Sequence, residues 1–404
     1  MAPNTHPDAV VVGAGPAGTS AAIALADAGR HVVVVDKATF PRDKTCGDGL
    51  TTGALRLLDD LGFDPATVPS WHAVSDVVLS SPSRHTVTYP LPSTGGQFAA
   101  IARRAELDAA LVELARSRGV VVHEGHAVTG VTQTSDGVEV EVDGMGSVWT
   151  PWLIGADGMW SPTRRLLGQA VPDYRGEWHA YRQYVTGVSP RAGRELLIWF
   201  EPDILPGYVW SFPLADGSAN VGFGIKRGGS WRIGAMGDLW DELLARPHIR
   251  EAIGEHARPE GPAKAWPIPA RVGEVELAFG RVLWVGDAAA ATDPMTGEGI
   301  GQALATGGWA AESILAGGSA ADVGRRYDAA VRTTLVPDHA MANLLVRALQ
   351  HRKGARFAIW LSGLTPWTRR NFARWLFEDY PRAILATPAR WHQGMLRGEG
   401  AFRA

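Results

Sequence analysis

Cysteine, lysine and long apolar runs are scarce in this chain of 404 residues, and each scarcity closes off a class of function. A single cysteine, Cys46, excludes an internal disulfide and any cysteine-based zinc cluster, and suits a reducing compartment. Lysine accounts for only 5 of the 39 basic residues, and these stand against 42 Asp and Glu, leaving a formal charge of -3. No overall positive surplus exists to hold a phosphate backbone, so no nucleic-acid partner is expected. The longest uncharged run, residues 9–26, has the length of a membrane span, but Gly13, Gly15, Pro16 and Gly18 break it with loop-forming residues. Residues 1–8 lack the basic region of a secretory leader. No Gly-x-Ser-x-Gly elbow and no Walker-type glycine-lysine loop occurs. The two histidines of His123-Glu124-Gly125-His126 would point to opposite faces of a strand, so no metal site is expected. The composition, 46% apolar and 20% charged, is that of a soluble globular protein with one large core or two.

The N-terminal residues carry the clearest chemistry. Val10-Val11-Val12 is a short apolar strand running into Gly13-Ala14-Gly15-Pro16-Ala17-Gly18, after which residues 21–28 have strong helix propensity. Gly29 ends that helix, and residues 31–35 form a second strand that closes with Asp36-Lys37. This is a β-α-β unit with dinucleotide-site spacing. Gly13 allows the tight turn, Gly15 lets backbone approach a pyrophosphate, and Gly18 lets helix and strand pack closely. Asp36 is then placed to accept from a ribose hydroxyl. The unit alone does not separate NAD from FAD.

Further strands of a nucleotide fold recur at intervals. Residues 104–118 read as a helix with leucines at 107, 111 and 114, followed by an apolar strand at 120–122. Asp136-Gly137 and Asp143-Gly144 are hairpin turns within residues 125–150. Trp152-Leu153-Ile154 leads into Gly155-Ala156-Asp157-Gly158, and residues 281–285 form another buried strand ending at Gly286-Asp287, with a helix over 301–315. Between them, residues 178–227 are rich in Trp, Tyr, Phe and Val, as expected of an antiparallel sheet. The expected class is α/β with an α+β insertion: a Rossmann-type nucleotide domain (residues 1–70, 98–170 and 276–330), an inserted antiparallel-sheet substrate domain (71–97 and 171–275) and a C-terminal helical region (331–404). Residues 325–404 hold 14 Arg and Lys against 5 Asp and Glu, with Trp360, Trp367, Trp375 and Trp391 among leucines and alanines. That pattern suits a helical cap with solvated arginines or a surface that touches a membrane.

Three segments together, Gly13 to Gly18, Gly155-Ala156-Asp157-Gly158 with Ser161 and Arg164-Arg165, and Gly286-Asp287-Ala288-Ala289 with Pro294 and Gly297-Glu298-Gly299-Ile300, resemble the fingerprints of the group A flavoprotein oxidoreductases. The resemblance makes the cofactor FAD. It implies that Asp287 binds the ribityl chain, that the Gly299 and Ile300 amides face the flavin pyrimidine edge, and that Arg104 contacts the cofactor from a long helix. Two further segments, residues 41–50 around Lys44-Thr45-Cys46-Gly47-Asp48 and residues 206–213 followed by Asn220-Val221-Gly222-Phe223-Gly224, are similar to the geranylgeranyl reductase family, including its menaquinone-reductase members. The likeness spans residues 9 to about 320 and fades in the tail.

The resemblance implies an FAD-dependent reductase that saturates C=C bonds of a polyprenyl substrate, a geranylgeranyl group or a menaquinone side chain. Tyr208, Trp210 and Phe212 alternate along a strand and share one face, an aromatic wall for such an isoprenoid. An isolated alkene is a poor hydride acceptor, so a proton must be delivered as well, and Cys46 is the candidate donor. The residues expected at the cofactor are Gly13, Gly15, Pro16, Ala17, Gly18, Asp36, Lys37, Cys46, Gly47, Asp48, Arg104, Asp157, Gly286, Asp287, Pro294, Gly297, Gly299 and Ile300. Two alternatives stand beside this reading: an FAD-dependent monooxygenase of an aromatic substrate, and a non-redox prenyl-binding carrier. The electron donor, whether NAD(P)H, ferredoxin or another carrier, is open. The expected location is the cytoplasm, with peripheral contact to the inner face of the cell membrane through the basic C-terminal region.

Overall fold

The computed structural model describes residues 6–229, 231–391, 395 and 398–403. Residues 1–5 of the segment expected to lack a leader lie outside the described residues. Among the described residues, no helix is long and apolar enough to cross a membrane.

Strands Val121–Glu124, Val32–Asp36, Ala9–Val12, Leu153–Gly155 and Val282–Trp284 form one parallel sheet in that spatial order, with Ala278–Phe279 added antiparallel at the edge. The central strands are covered on both faces, which is why they read as unbroken valine runs and not as alternating patterns. On one face lie helices Pro16–Asp27 and Ile300–Leu315. They cross so closely at Gly307 that a Cβ there would stand 2.2 Å from the Ala17 carbonyl oxygen. Helix Pro16–Asp27 starts directly after Gly15, earlier than the high-propensity segment at 21–28 implies. Pro16 permits this, since the first turn needs no N–H partner. The other face is covered by the hairpins Val128–Gln133, Val138–Val142 and Gly146–Thr150, whose Val138, Val140 and Val142 pack on Val10, Val12, Val33 and Val35.

The inserted sheet contains Trp178–Thr186, Ala219–Lys226, Tyr208–Pro213, Leu196–Trp199, Asp76–Ser80 and Thr86–Pro90 in spatial order, with Lys264–Ile268 and Arg258–Pro259 on its outer edge. One join departs from the antiparallel expectation. Leu196–Trp199 runs parallel to Asp76–Ser80, with Leu196 opposite Val77. These two segments come from distant parts of the chain, so no tight turn dictates their direction.

The C-terminal helices complete the molecule. Ala320–Leu349, started by a Ser319–Asp322 capping box, runs unbroken through the boundary expected at 330/331. Helices Arg352–Ser362 and Pro366–Leu376 then lie against the inserted sheet, where Ile359, Ala373 and Phe377 share a core with Val77, Tyr89 and Leu196. Buried Tyr89 ties them down, its hydroxyl lying 2.7 Å from Ser362 Oγ.

Candidate functional site

A cavity of about 820 Å³ runs from the end of the parallel sheet, between that domain and the inserted sheet, to the C-terminal helices. Of the residues expected at the cofactor and substrate, all but Gly18 line it. Gly18 lies behind the wall. A Cβ there would stand 1.8 Å from Gly13 O, and one on Gly13, whose φ is +105°, would stand 2.3 Å from Ala156 O, so both glycines serve close packing of backbone. Gly15 differs: its Cβ would meet only Arg42 Nη2, at 3.6 Å. Nothing in the protein requires a glycine at 15, and the space it leaves opens into the cavity.

Two helix N-termini face this space. Gly15 and Gly299 cap the helices Pro16–Asp27 and Ile300–Leu315 without a side-chain hydrogen bond of their own; Gly301 N in the second donates to Glu298 Oε1 at 2.6 Å, and the other first-turn N–H groups are left for an anion or a polar ring edge. Asp36 closes the second strand, and its carboxylate also pins the glycine turn, accepting from Ala14 N at 2.7 Å and Ala38 N at 2.8 Å. Asp157 has a local task as well. It accepts from Ser161 Oγ and Thr163 N, both at 2.7 Å, at the start of helix Pro162–Leu166. Asp287 lies near Lys44, 3.8 Å away, with Lys44 over the Trp266 ring; burial holds the lysine below its ordinary pKa. A narrow cleft with two open helix ends, a Gly15 cradle and a terminal acid fits a dinucleotide whose pyrophosphate meets one helix and whose ring system meets the other.

Where the two domains meet, Cys46, Gly47 and Asp48 form a turn against the aromatic wall. The rings of Tyr208, Trp210 and Phe212 follow one another at 6.0 Å spacings, and Gly47 abuts them, a Cβ there falling 3.3 Å from Phe212. The Cys46 sulfur accepts from Asp48 N at 3.3 Å. Burial raises its pKa, opposed by the neighbouring Arg104 guanidinium. Arg104, buried at the first turn of helix Arg104–Ser117, is held bidentate by Asp108 at 2.8 Å, and Asp108 also pairs with Arg42 at 2.8 Å. Beyond the wall the lining becomes apolar, through Phe200 and Ile198 to Leu345, Ile359, Phe372 and Trp375.

Several of these groups were outside the sequence reading. Asp108 had a local signal, the i,i+4 spacing from Arg104 on a helix. Tyr184 and Arg182, which surround Asp48 together with the motif residue Asn220, had none, because strand pairing brings them there. The tail was expected to be a helical cap with solvated arginines or a membrane-touching surface; in the structure Arg382 also reaches Asp293 at 2.9 Å in the Pro294 loop, and Glu378 accepts from Thr51 Oγ1 at 3.2 Å.

Fold and cleft together define a nucleotide-binding flavoprotein oxidoreductase. A family model for the FAD binding domain matches residues 6–307. The chain is 36% identical over 346 residues to the menaquinone reductase of Mycolicibacterium smegmatis, covering 78% of each. It is 33% identical over 319 residues to digeranylgeranylglycerophospholipid reductase 1 of Methanopyrus kandleri, covering 76% of this chain and 79% of the relative. The crystal structure of a geranylgeranyl bacteriochlorophyll reductase-like protein from Thermoplasma acidophilum superposes with a TM-score of 0.79 at 20% identity, over 96% of this chain and 99% of that one. The chain belongs to the geranylgeranyl reductase family of FAD-dependent oxidoreductases.

Proposed function

We propose that the protein saturates C=C bonds in a polyprenyl chain, with a menaquinone-type side chain as the leading substrate and a geranylgeranyl lipid as the next. The observation that carries this reading is one continuous cavity, polar at two helix N-termini and apolar from Trp210 to Ile359. The names of the two curated relatives support the same substrate class. Bound FAD supplies the hydride for such a reduction. Gly15, Pro16 and Ala17 would hold its pyrophosphate, Asp36 with Lys37 the adenosine end, Asp157, Gly286 and Asp287 the linker, and Pro294, Gly297, Gly299 and Ile300 the ring edge. Arg104 would orient the cofactor, fixed by Asp108.

The protein's other tasks are alignment, dryness and a proton. Tyr208, Trp210 and Phe212 hold the prenyl chain against the Cys46-Gly47-Asp48 turn and exclude water, and Cys46 is the proton donor in this reading. Substrate enters from a membrane. Residues 339–377 contain seven Arg and Lys and no Asp or Glu, while Phe357, Trp360, Leu361 and Trp367 are exposed on the same helices that line the far end of the cavity, and Leu364 is exposed in the turn between them. Such a surface is complementary to an anionic lipid layer, with the aromatic rings entering its interface.

The test uses anaerobic protein with chemically reduced FAD and a menaquinone or polyprenyl lipid, which removes dependence on the electron donor. Mass spectrometry of the product should find two added hydrogens per turnover. Oxygen incorporated into an aromatic substrate, with no prenyl reduction, would transfer the assignment to a monooxygenase; purified protein without bound flavin would transfer it to a carrier.

A further inference from the structure

Asp48 is an acid of the central cavity whose carboxyl is only half satisfied. Its residue is fully buried, it lines the cavity, and it holds a left-handed backbone with φ at +67°. One carboxyl oxygen accepts from the Tyr184 hydroxyl at 2.6 Å and from Asn220 Nδ2 at 2.8 Å. The other, Oδ1, is buried without a hydrogen-bond partner among the described residues. A buried carboxylate oxygen with no donor is costly, and a proton on that oxygen lessens the cost by removing the charge. Asn220 also donates to the Cys46 carbonyl at 2.8 Å, so one amide fixes the acid and the thiol on the same turn.

We propose that Asp48 is the proton store of the reaction, acting through Cys46. The inference rests on the reductive reading above and extends it. Reduction of one C=C bond consumes a hydride, which carries the electron pair, and one proton. The S–H bond of Cys46 breaks as the new C–H bond forms, leaving a thiolate. The O–H bond of Asp48 then breaks as S–H re-forms, and the carboxylate regains its proton from solvent between turnovers. Burial pushes the Asp48 carboxyl up to about 6, against Tyr184, Asn220, Arg182 and Arg104, which pull it down. The Cys46 thiol is raised by burial and further by Asp48, so transfer from the acid to a thiolate runs downhill. The titratable and charged groups facing Asp48 are Tyr184 and Arg182 on strand Trp178–Thr186, Arg104 on its helix, and Cys46 on its own turn.

The experiment pairs Asp48→Asn with Tyr184→Phe in FAD-loaded protein and reads two quantities. The first is the pH dependence of iodoacetamide alkylation at Cys46, the only thiol in the chain. Asp48→Asn removes a neighbouring negative charge and should lower the midpoint by about 1 pH unit. The second is the single-turnover rate of lipid reduction, which Asp48→Asn should reduce by about 100-fold. Tyr184→Phe keeps the acid but removes a hydrogen bond that favours its charged form, so its rate should persist to higher pH than in the wild type. An unshifted alkylation midpoint overturns the coupling, and a wild-type rate and pH profile in Asp48→Asn overturns the relay. If the wild type reduces no prenyl lipid, the functional reading fails, while the alkylation midpoint still decides the coupling.

Discussion

Replacement of Gly15 by valine separates a glycine required by a ligand from glycines required by the fold. Gly15 has φ -76° and ψ -177°, an extended conformation open to any residue, and a Cβ there lies 3.6 Å from the movable end of Arg42. Without FAD, Gly15→Val should therefore change stability by less than about 1 kcal/mol, since only a weak helix cap is exchanged. Gly18→Ala is the control. Its methyl would stand 1.8 Å from Gly13 O, a backbone collision of the kind that costs at least ~1–3 kcal/mol. Cofactor affinity should show the opposite order. In the proposed cofactor site, valine methyl groups would fill the place of the pyrophosphate and separate it from the first-turn N–H groups. Two lost charge-assisted hydrogen bonds at ~1.5–3 kcal/mol each weaken binding by roughly 10²–10⁴-fold.

Both readouts are direct. Visible flavin absorbance per protein after gel filtration reports retention, and thermal unfolding of FAD-free samples reports stability without the contribution of bound ligand. The reasoning is refuted if Gly15→Val keeps FAD at wild-type affinity, or if its FAD-free form melts as early as Gly18→Ala.

Cys46→Ala should retain FAD and its reduction yet lose lipid turnover; full activity would return Cys46 to a packing role. Binding to anionic vesicles should fall with salt and weaken when Arg352, Lys353 and Arg356 become Gln, at ~1 kcal/mol per residue, and equal binding to neutral vesicles at high salt would remove the electrostatic account. Ile359→Trp should narrow the far end of the cavity and lower kcat/KM for long prenyl substrates more than for short ones; an equal loss for both would place the chain elsewhere. Burial and Glu378 hold Glu298 up at about 8, and burial holds Asp48 at about 6, both above their unfolded values near pH ~4. Their protonated forms favour the fold, so stability of the FAD-free protein should be lost as pH rises through 6 and 8, and Glu298→Gln should flatten the upper step in thermal melts.

The nucleotide half of the site was legible because its signals are local. The tight turn and the close backbone packing after a valine strand demand glycine at 13 and 18, while the fold makes no such demand at 15, so the three could be read apart. The aromatic face was legible for a similar reason: strand alternation alone puts Tyr208, Trp210 and Phe212 on one side. Asp48 was visible only as part of a motif, since its environment comes from Tyr184 and Asn220, paired across neighbouring strands in register. The roles of Asp36 and Asp157 show the converse limit. Each stands where a ligand acid is expected and lines the cavity, but each carboxylate also accepts from nearby backbone N–H groups that the turn itself leaves unpaired.

The division of labour within the cavity gives a physical reason for the family model to end at residue 307 although the tail reaches the site. The cofactor end is set by backbone geometry, where a methyl group on Gly13 or Gly18 would collide with main chain. The far end is built from side chains on helices Ala320–Leu349, Arg352–Ser362 and Pro366–Leu376, where apolar residues of similar volume can replace one another at modest cost. Yet those helices are not loosely attached. Buried Arg382 pairs with Asp293 and so fixes the tail to the loop before helix Ile300–Leu315, while Glu378 and the buried Arg374–Asp379 pair brace the tail itself, charges that would be costly to leave unpaired. A rigid anchor with an exchangeable lining allows the length and headgroup of the accepted lipid to change without disturbing the cofactor. Exchanging residues 341–376 with those of a relative that reduces a different prenyl lipid, while keeping Glu378 and Arg382, should therefore move substrate preference and leave FAD affinity unchanged. Loss of FAD in that chimera would mean that the tail shapes the cofactor end directly.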